Sequence, residues 1–288
     1  MAQKKPGRSG GGKNRFSTHG AARGHRQGSP QSRSPAARPN KGGDISPNRR
    51  HGFAGGDRPY DYSFYESEPA TPDYMRRLFD KYGFPVTPAQ LQQFWRYYEL
   101  LRRDNARLDL TRIMGIEATV LKHFIDSAII LRWLEPQGPV LDIGSGPGFP
   151  GMPLAIMRPD CMFILAESRG KRVGFLEDVV ATLGLKNVEI FPRSVREDSP
   201  LGDDNGKPVG DVVTRALETI PPTLERILPI IRPGARAVFL KGPGCDDEVA
   251  ESISMYPGVY ELVDDVQYSL PGTDQHRRLV FFRKTAIQ

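Results

Sequence analysis

Twelve residues at 140–151, "VLDIGSGPGFPG", run an apolar segment with one acid into a loop where Gly144, Gly146 and Gly148 alternate with other residues. Glycines at that spacing, placed after a strand and ahead of a helix, let main-chain N–H groups approach a ligand closely. The dinucleotide fingerprint is G-x-G-x-x-G, and here the place of its third glycine is taken by Phe149. An aromatic ring there is incompatible with the close helix-to-strand approach of a dinucleotide loop, and Pro150 and Pro153 stiffen the turn instead. Glu167 stands 23 residues after Gly144, at the end of a second apolar run, "CMFILAE". A carboxylate at that point can accept both hydroxyls of a ribose.

The elements that must position these residues follow from the pattern around them. "VLDIG", "CMFILAE", "VEIF", "DVVTRAL" and "ARAVFLKG" are apolar throughout and alternate with helical stretches such as 171–183, which predicts a parallel sheet covered on both faces. "YELVDDVQYSL" and "RRLVFFRK" are separated only by the turn-rich "PGTDQH", so they pair antiparallel at one edge. The expected fold class is α/β, a doubly wound, seven-stranded, mostly parallel sheet over 138–284. Ahead of it, residues 70–135 read as a helical cap. Thr87 and Pro88 form an N-cap and first-turn pair before Leu91, Phe94, Trp95, Tyr98 and Leu101. A second helix is predicted over 116–134, with Val120, Phe124, Ser127 and Leu131 on one face.

Charge is distributed unevenly. Residues 1–58 hold 13 Lys and Arg against Asp44 and Asp57, a net of +11, which leaves 27 basic against 32 acidic residues, a net of −5, for the remainder. The segment 1–68, rich in Gly, Pro, Ser and Arg, has little to bury and is expected to be a disordered basic tail. Such a tail suits either a polyanion or plain solubility. No apolar stretch of about 18 residues predicts a membrane span. The two cysteines, Cys161 and Cys245, are too few for a disulfide framework and lack metal-ligand spacing, so a cytoplasmic protein with no metal is expected.

The loop after "LDIG" resembles the first motif of S-adenosylmethionine-dependent methyltransferases. From about Leu91 to Arg283 the chain resembles the RsmG (GidB) family of bacterial 16S rRNA methyltransferases. The resemblance is carried by "LDLT" at 108–111, "LKHFIDS" at 121–127, "VLDIGSGPGFPGMPLAIMRPD" at 140–160, "SRGKRVGFLEDV" at 168–179, "RSVRE" at 193–197, "VVTRAL" at 212–217 and "LKG" at 240–242. It implies the class I methyltransferase fold, the cofactor S-adenosyl-L-methionine, and contacts from Gly144, Gly146, Gly148, Phe149, Glu167, Val195, Arg196 and Arg215. The family usually shows an acid in place of Arg196 and Asp in place of Glu167. The activity implied is methylation of N7 of a guanosine in the 530 loop of 16S rRNA, in the small ribosomal subunit, by a monomer. Guanine N7 has a lone pair and no proton, so no catalytic acid or base is assigned.

Several charged residues have a second, plainer reading. Arg215 is rare within an apolar strand and either faces ligand or pairs with Glu218. His123 and Asp126, a helical turn apart, are an acid–base pair or an ordinary helix side-chain pair, and the resemblance implies that they line the cofactor or substrate rim. Lys241, Arg277 and Arg278, with His123, are the candidate RNA contacts, although each cation could equally be solvated. Two other classes stay open: a methyltransferase of a small molecule or protein side chain, and a ribosome-assembly module without turnover.

Overall fold

The computed structural model describes residues 68–202 and 208–285. All but the last residue of the expected tail at 1–68 lies outside the described residues. Seven strands form one sheet: β1 (Val140–Ile143), β2 (Phe163–Ala166), β3 (Val188–Phe191), β4 (Val209–Arg215), β5 (Ile231–Lys241), β6 (Tyr260–Ser269) and β7 (His276–Lys284). Their order is β3-β2-β1-β4-β5-β7-β6. The first five are parallel, while β7 runs antiparallel between β5 and β6. The seven-stranded α/β expectation is met, with the antiparallel pair at the edge where the short turn put it. Strand order reverses between β1 and β4, and in a doubly wound sheet the ligand crevice lies there, outside the carboxyl ends of the strands.

Every residue of β1 and β2 is buried, which is why neither segment alternates in polarity. Val140 belongs to one hydrophobic cluster and Leu141 and Ile143 to a second, so successive residues serve opposite faces of the sheet. The second face is covered by α7 (Ile220–Ile227) and α8 (Asp246–Met255). The first is covered by α5 (Gly151–Met157), α6 (Gly170–Leu183) and the N-terminal helices α1 (Pro72–Lys81) and α2 (Pro88–Leu108). A full capping box fixes the start of α2: Gln90 N–H donates to Thr87 Oγ1, and Thr87 N–H donates to Gln90 Oε1. Tyr74, Phe94, Phe124, Leu176 and Phe281 share one core cluster, so residues 70–135 and 138–284 are built on common packing.

Three elements depart from the reading of the sequence. The helix expected over 116–134 is composite: α3 (Ile116–Thr119), a π-helical stretch (Val120–Ile125), α4 (Asp126–Ala128) and a 3-10 turn (Ile129–Arg132). The apolar face of Val120, Phe124 and Ser127 is buried as expected. The widened turn is a feature that hydrophobic periodicity does not encode, and such turns cluster at functional sites. β5 begins at Ile231, four residues before Ala235, and its ladder to β4 shifts between Val209 and Asp211. Cys161 precedes β2 rather than lying in it; Cys245, in the loop before α8, is like it a buried free thiol.

Gly151 brings α5 close to the sheet. A Cβ at that position would sit 2.9 Å from Asp142 Cβ and 3.0 Å from Leu165 Cδ1. Gly151→Ala is expected to destabilise the fold by about 1–3 kcal/mol through overpacking, although alanine is the better helix former. Urea denaturation measures this, and an unchanged midpoint would show that α5 has room to move.

Candidate active site

The loop leaving β1 turns back on the end of β2. Gly144 and Ser145 N–H both donate to Ala166 O, at 2.9 and 3.1 Å, and Gly148 and Phe149 N–H both donate to Ser145 O at 2.8 Å. That path needs left-handed backbone, with φ of +72° at Gly144 and +58° at Gly146. The buried Glu167 carboxylate holds the loop from the side: Oε2 accepts from Gly146 N–H at 3.0 Å and Oε1 from Arg169 N–H at 2.8 Å. A carboxylate has about four acceptor positions, so capacity remains for hydroxyl donors. A cleft of about 500 Å³ opens here, lined by Gly144, Glu167, Arg172, Val195, Arg196 and Leu217. Its volume is in the range of small-molecule sites, roughly 300–1,000 Å³.

Behind the loop stands Asp142, wholly buried on β1. Its Oδ2 accepts from Gly151 N–H at 2.8 Å, while Oδ1 has no hydrogen-bond partner among the described residues. Burial pushes its carboxyl up to about 7, against the opposing pull of the Gly151 hydrogen bond, while Ser145 Oγ donates to the main-chain O of Asp142 at 3.1 Å. Tyr97 of α2 supports the loop from the helical side, its hydroxyl donating to Pro147 O at 2.5 Å.

A second cavity, of about 440 Å³, lies beside the first and shares Ala216 with it. Its wall includes Lys122, His123, Asp126, Arg215, Lys241 and Arg277. Arg215 is anchored from β4 into the π-helical stretch and α4. Its Nη1 donates to Lys122 O at 3.3 Å and to Asp126 Oδ2 at 3.4 Å, and its Nη2 lies 3.3 Å from His123 Nδ1. The guanidinium also sits 5.1 Å from the centre of the Phe149 ring. Guanidinium is only a donor, so His123 Nδ1 is the acceptor and Nε2 carries the proton, directed at Thr111 Oγ1 at 2.8 Å. Burial, and then Arg215, push the imidazole well below its ordinary range, which keeps it neutral. Its ring stacks on Phe149 with centroids 4.2 Å apart. Asp126 Oδ1 accepts from Tyr268 hydroxyl at 3.1 Å and lies 3.6 Å from Arg277 Nε. Ala216, between the two cavities, has φ +54°, a left-handed conformation that alanine seldom adopts.

The structure therefore distributes the expected residues over two places. Gly144, Glu167, Val195 and Arg196 line the first cavity, and His123, Arg215, Lys241 and Arg277 the second. Gly146 bears on the first through its bond to Glu167. Gly148 lies against Tyr97 and Leu176, where a Cβ would come within 3.2 Å of Leu176 Cδ2. Phe149 is buried beneath His123 and Arg215. Arg215 lines the second cavity and pairs with Asp126, while Glu218 instead pairs with Arg226. Arg196 N–H donates to Ser199 Oγ at 2.8 Å. Lys241 Nζ is held by Glu248 at 2.7 Å and Glu218 O at 2.6 Å. Arg278 is set apart from this group: successive strand residues face opposite ways, and its buried guanidinium is spent on Asp265 and Asp246. Thr111, Asp142 and Tyr268 were not singled out by the sequence reading. Thr111 closes "LDLT", so its motif was visible without its role.

A sheet ordered β3-β2-β1-β4-β5-β7-β6, with a glycine loop after β1 and an acid closing β2, is the arrangement that the resemblance to S-adenosylmethionine-dependent methyltransferases implies, and the matched family is one of methyltransferases. Within that class the chain belongs to the rRNA small subunit methyltransferase G family, whose GidB model matches residues 90–267. It is 40% identical over 213 residues to ribosomal RNA small subunit methyltransferase G 2 of Syntrophobacter fumaroxidans, a match covering 74% of this chain and 42% of that protein. It is 38% identical to the Bdellovibrio bacteriovorus protein of the same name, covering 74% and 81%, and 35% identical to ribosomal RNA small subunit methyltransferase G of Carboxydothermus hydrogenoformans, covering 73% and 90%. Among solved structures it is similar to a SAM-dependent methyltransferase from Aquifex aeolicus, at TM-score 0.44 and 19% identity over 58% of this chain and 93% of that one.

The raised carboxyl of Asp142 makes stability depend on pH. Its folded value, about 7, lies above the ordinary 3.8, so the folded state holds the proton more tightly. The contribution is present below about pH 4 and is lost as pH rises through 7, a change on the order of 4 kcal/mol. Asp142→Asn is expected to flatten the stability profile between about pH 4 and 7. Denaturant unfolding at several pH values checks this, and parallel profiles for variant and wild type would remove Asp142 as the cause.

Proposed function

We propose that the protein methylates N7 of a guanosine in the 530 loop of 16S rRNA, acting on the small ribosomal subunit as a cytoplasmic monomer. The observation that carries this reading is the pair of cavities meeting at Ala216, one suited to the cofactor and one walled by cations. When bound, S-adenosylmethionine supplies a sulfonium methyl open to displacement. Glu167, with acceptor positions to spare, would take its ribose hydroxyls, the glycine loop would lie against it as bare backbone whose own N–H groups are already bonded within the protein, and the buried Val195 offers an apolar surface to adenine. In the second cavity Arg215 has used three of its five N–H donors, which leaves two for a base or phosphate oxygen. Neither His123 nor Asp126 is arranged as a base: the imidazole accepts from Arg215, and both Asp126 oxygens face donors. N7 attack requires none, so alignment and exclusion of water suffice.

Incubation with labelled cofactor and small ribosomal subunits, followed by nuclease digestion, is expected to place the label in N7-methylguanosine. Label in another nucleoside or none in rRNA would overturn the assignment. Arg215→Ala is expected to lower turnover about tenfold or more, equivalent to the 1.4 kcal/mol of one charged contact, and His123→Ala to lower it less. If His123→Ala alone abolishes transfer, the mechanism without an acid–base residue is wrong.

The charge of residues 1–58 bears on the same substrate. Their deletion is expected to leave cofactor affinity unchanged, raise KM for the subunit, and flatten its dependence on salt between about 50 and 200 mM. Equal salt slopes for the two proteins would assign the charge no part in RNA capture.

A further inference from the structure

The wall of the cofactor cleft is rich in cations. Arg169 and Arg172 come from the start of α6, Arg193 and Arg196 from the chain beyond β3, and Arg226 from α7. Arg226 is answered by both oxygens of Glu218, at 2.6 and 3.1 Å. Arg172 lies 3.8 Å from Glu167, and Glu197, Asp198 and Glu225 line an adjoining depression with Arg196. Arg169 meets Glu167 through its main-chain N–H, and the two remaining guanidinium groups are those of Arg169 and Arg193. Both are exposed, and among the described residues neither side chain is in an ion pair. The Arg193 guanidinium rests 5.6 Å from the centre of the Phe191 ring, which steadies it without neutralising it.

This lining is unfavourable for the cofactor taken alone. S-adenosylmethionine carries a sulfonium and an ammonium against one carboxylate, so it enters with a net positive charge, whereas S-adenosylhomocysteine is neutral overall. Like charges around one cleft repel, less so as salt is added. Guanidinium groups without a carboxylate partner are suited to phosphate oxygens, which they bind in a planar fork.

We infer that RNA backbone phosphates seat on Arg169 and Arg193 at the mouth of the cofactor cleft, and that neutralising these cations strengthens binding of the positively charged cofactor but not of its neutral product. The reading rests on the proposed RNA substrate for the identity of the polyanion. Linkage makes the coupling reciprocal, so the protein holds RNA more tightly with S-adenosylmethionine than with S-adenosylhomocysteine. In the transfer the sulfur–methyl bond breaks, the N7–methyl bond forms, and the positive charge passes from sulfur to base. The coupling is then gone, which favours release of the methylated RNA.

Equilibrium dialysis of the full chain with labelled S-adenosylmethionine or S-adenosylhomocysteine, with and without a short RNA oligonucleotide, tests this. RNA is expected to tighten S-adenosylmethionine binding about fivefold at about 50 mM salt, and less at about 200 mM, while S-adenosylhomocysteine changes little. Without RNA, added salt is expected to tighten binding of S-adenosylmethionine alone. Arg169→Gln combined with Arg193→Gln is expected to bind S-adenosylmethionine more tightly than wild type without RNA and to lose most of the coupling. Equal tightening of both ligands by RNA, no tightening of either, or full coupling in the double variant would overturn the inference. Failure of the rRNA reading shows separately, as absence of label in rRNA in the subunit assay, and leaves these binding measurements interpretable.

Discussion

One buried carboxylate sets the geometry on which the cofactor cleft depends. Glu167 accepts from Gly146 N–H with one oxygen and Arg169 N–H with the other, so a single side chain ties the loop of β1 to the entry of α6 across the end of β2. Main-chain N–H groups that are buried must find acceptors, and these two find the same one. The Gly144 and Ser145 N–H groups are likewise committed to Ala166 O on the adjacent strand, which fixes the path of the loop. The length of the Glu side chain lets its two oxygens reach both donors from the strand end.

The second cavity is organised by a cation. A largely buried guanidinium has to be answered by acceptors, and Arg215 is answered by a carbonyl, a carboxylate and an imidazole that all come from the composite helical segment. This arrangement explains the widened turn at Val120–Ile125: the segment must present Lys122 O, His123 and Asp126 to one guanidinium while keeping Phe124 and Ser127 in the core. The His123 tautomer follows from its neighbours, with Arg215 on one nitrogen and Thr111 on the other. Helical layer and sheet thus meet through polar contacts at the site as well as through the hydrophobic core.

Much of this was legible in the residue order. The strand–helix alternation and the turn-rich "PGTDQH" carried the sheet and its antiparallel edge, because apolar runs and tight turns are local properties. Thr87, Pro88 and the spacing of Leu91 to Leu101 marked α2 for the same reason. What was hidden depends on contacts between distant segments. Arg215 has Glu218 three residues away in sequence, yet its partner is Asp126, 89 residues distant. Arg277 and Arg278 are indistinguishable as neighbouring cations until strand geometry sends them to different sides. The π-helical turn has no periodic signature, and Asp142 reads as one more acid until its complete burial is seen.

The hydroxyl of Tyr97 reaches from α2 to Pro147 O inside the glycine loop, and the same helix is joined to α6 by the Arg103–Asp178 ion pair. The N-terminal helices are therefore scaffolding for the loop and not an exchangeable module. A sheet domain transplanted without them would lose the prop beneath the turn of its loop, and a foreign helical layer would serve only if it set an equivalent donor over Pro147. Modularity in such a chain stops short of the helices that touch the loop, however separate they look along the sequence.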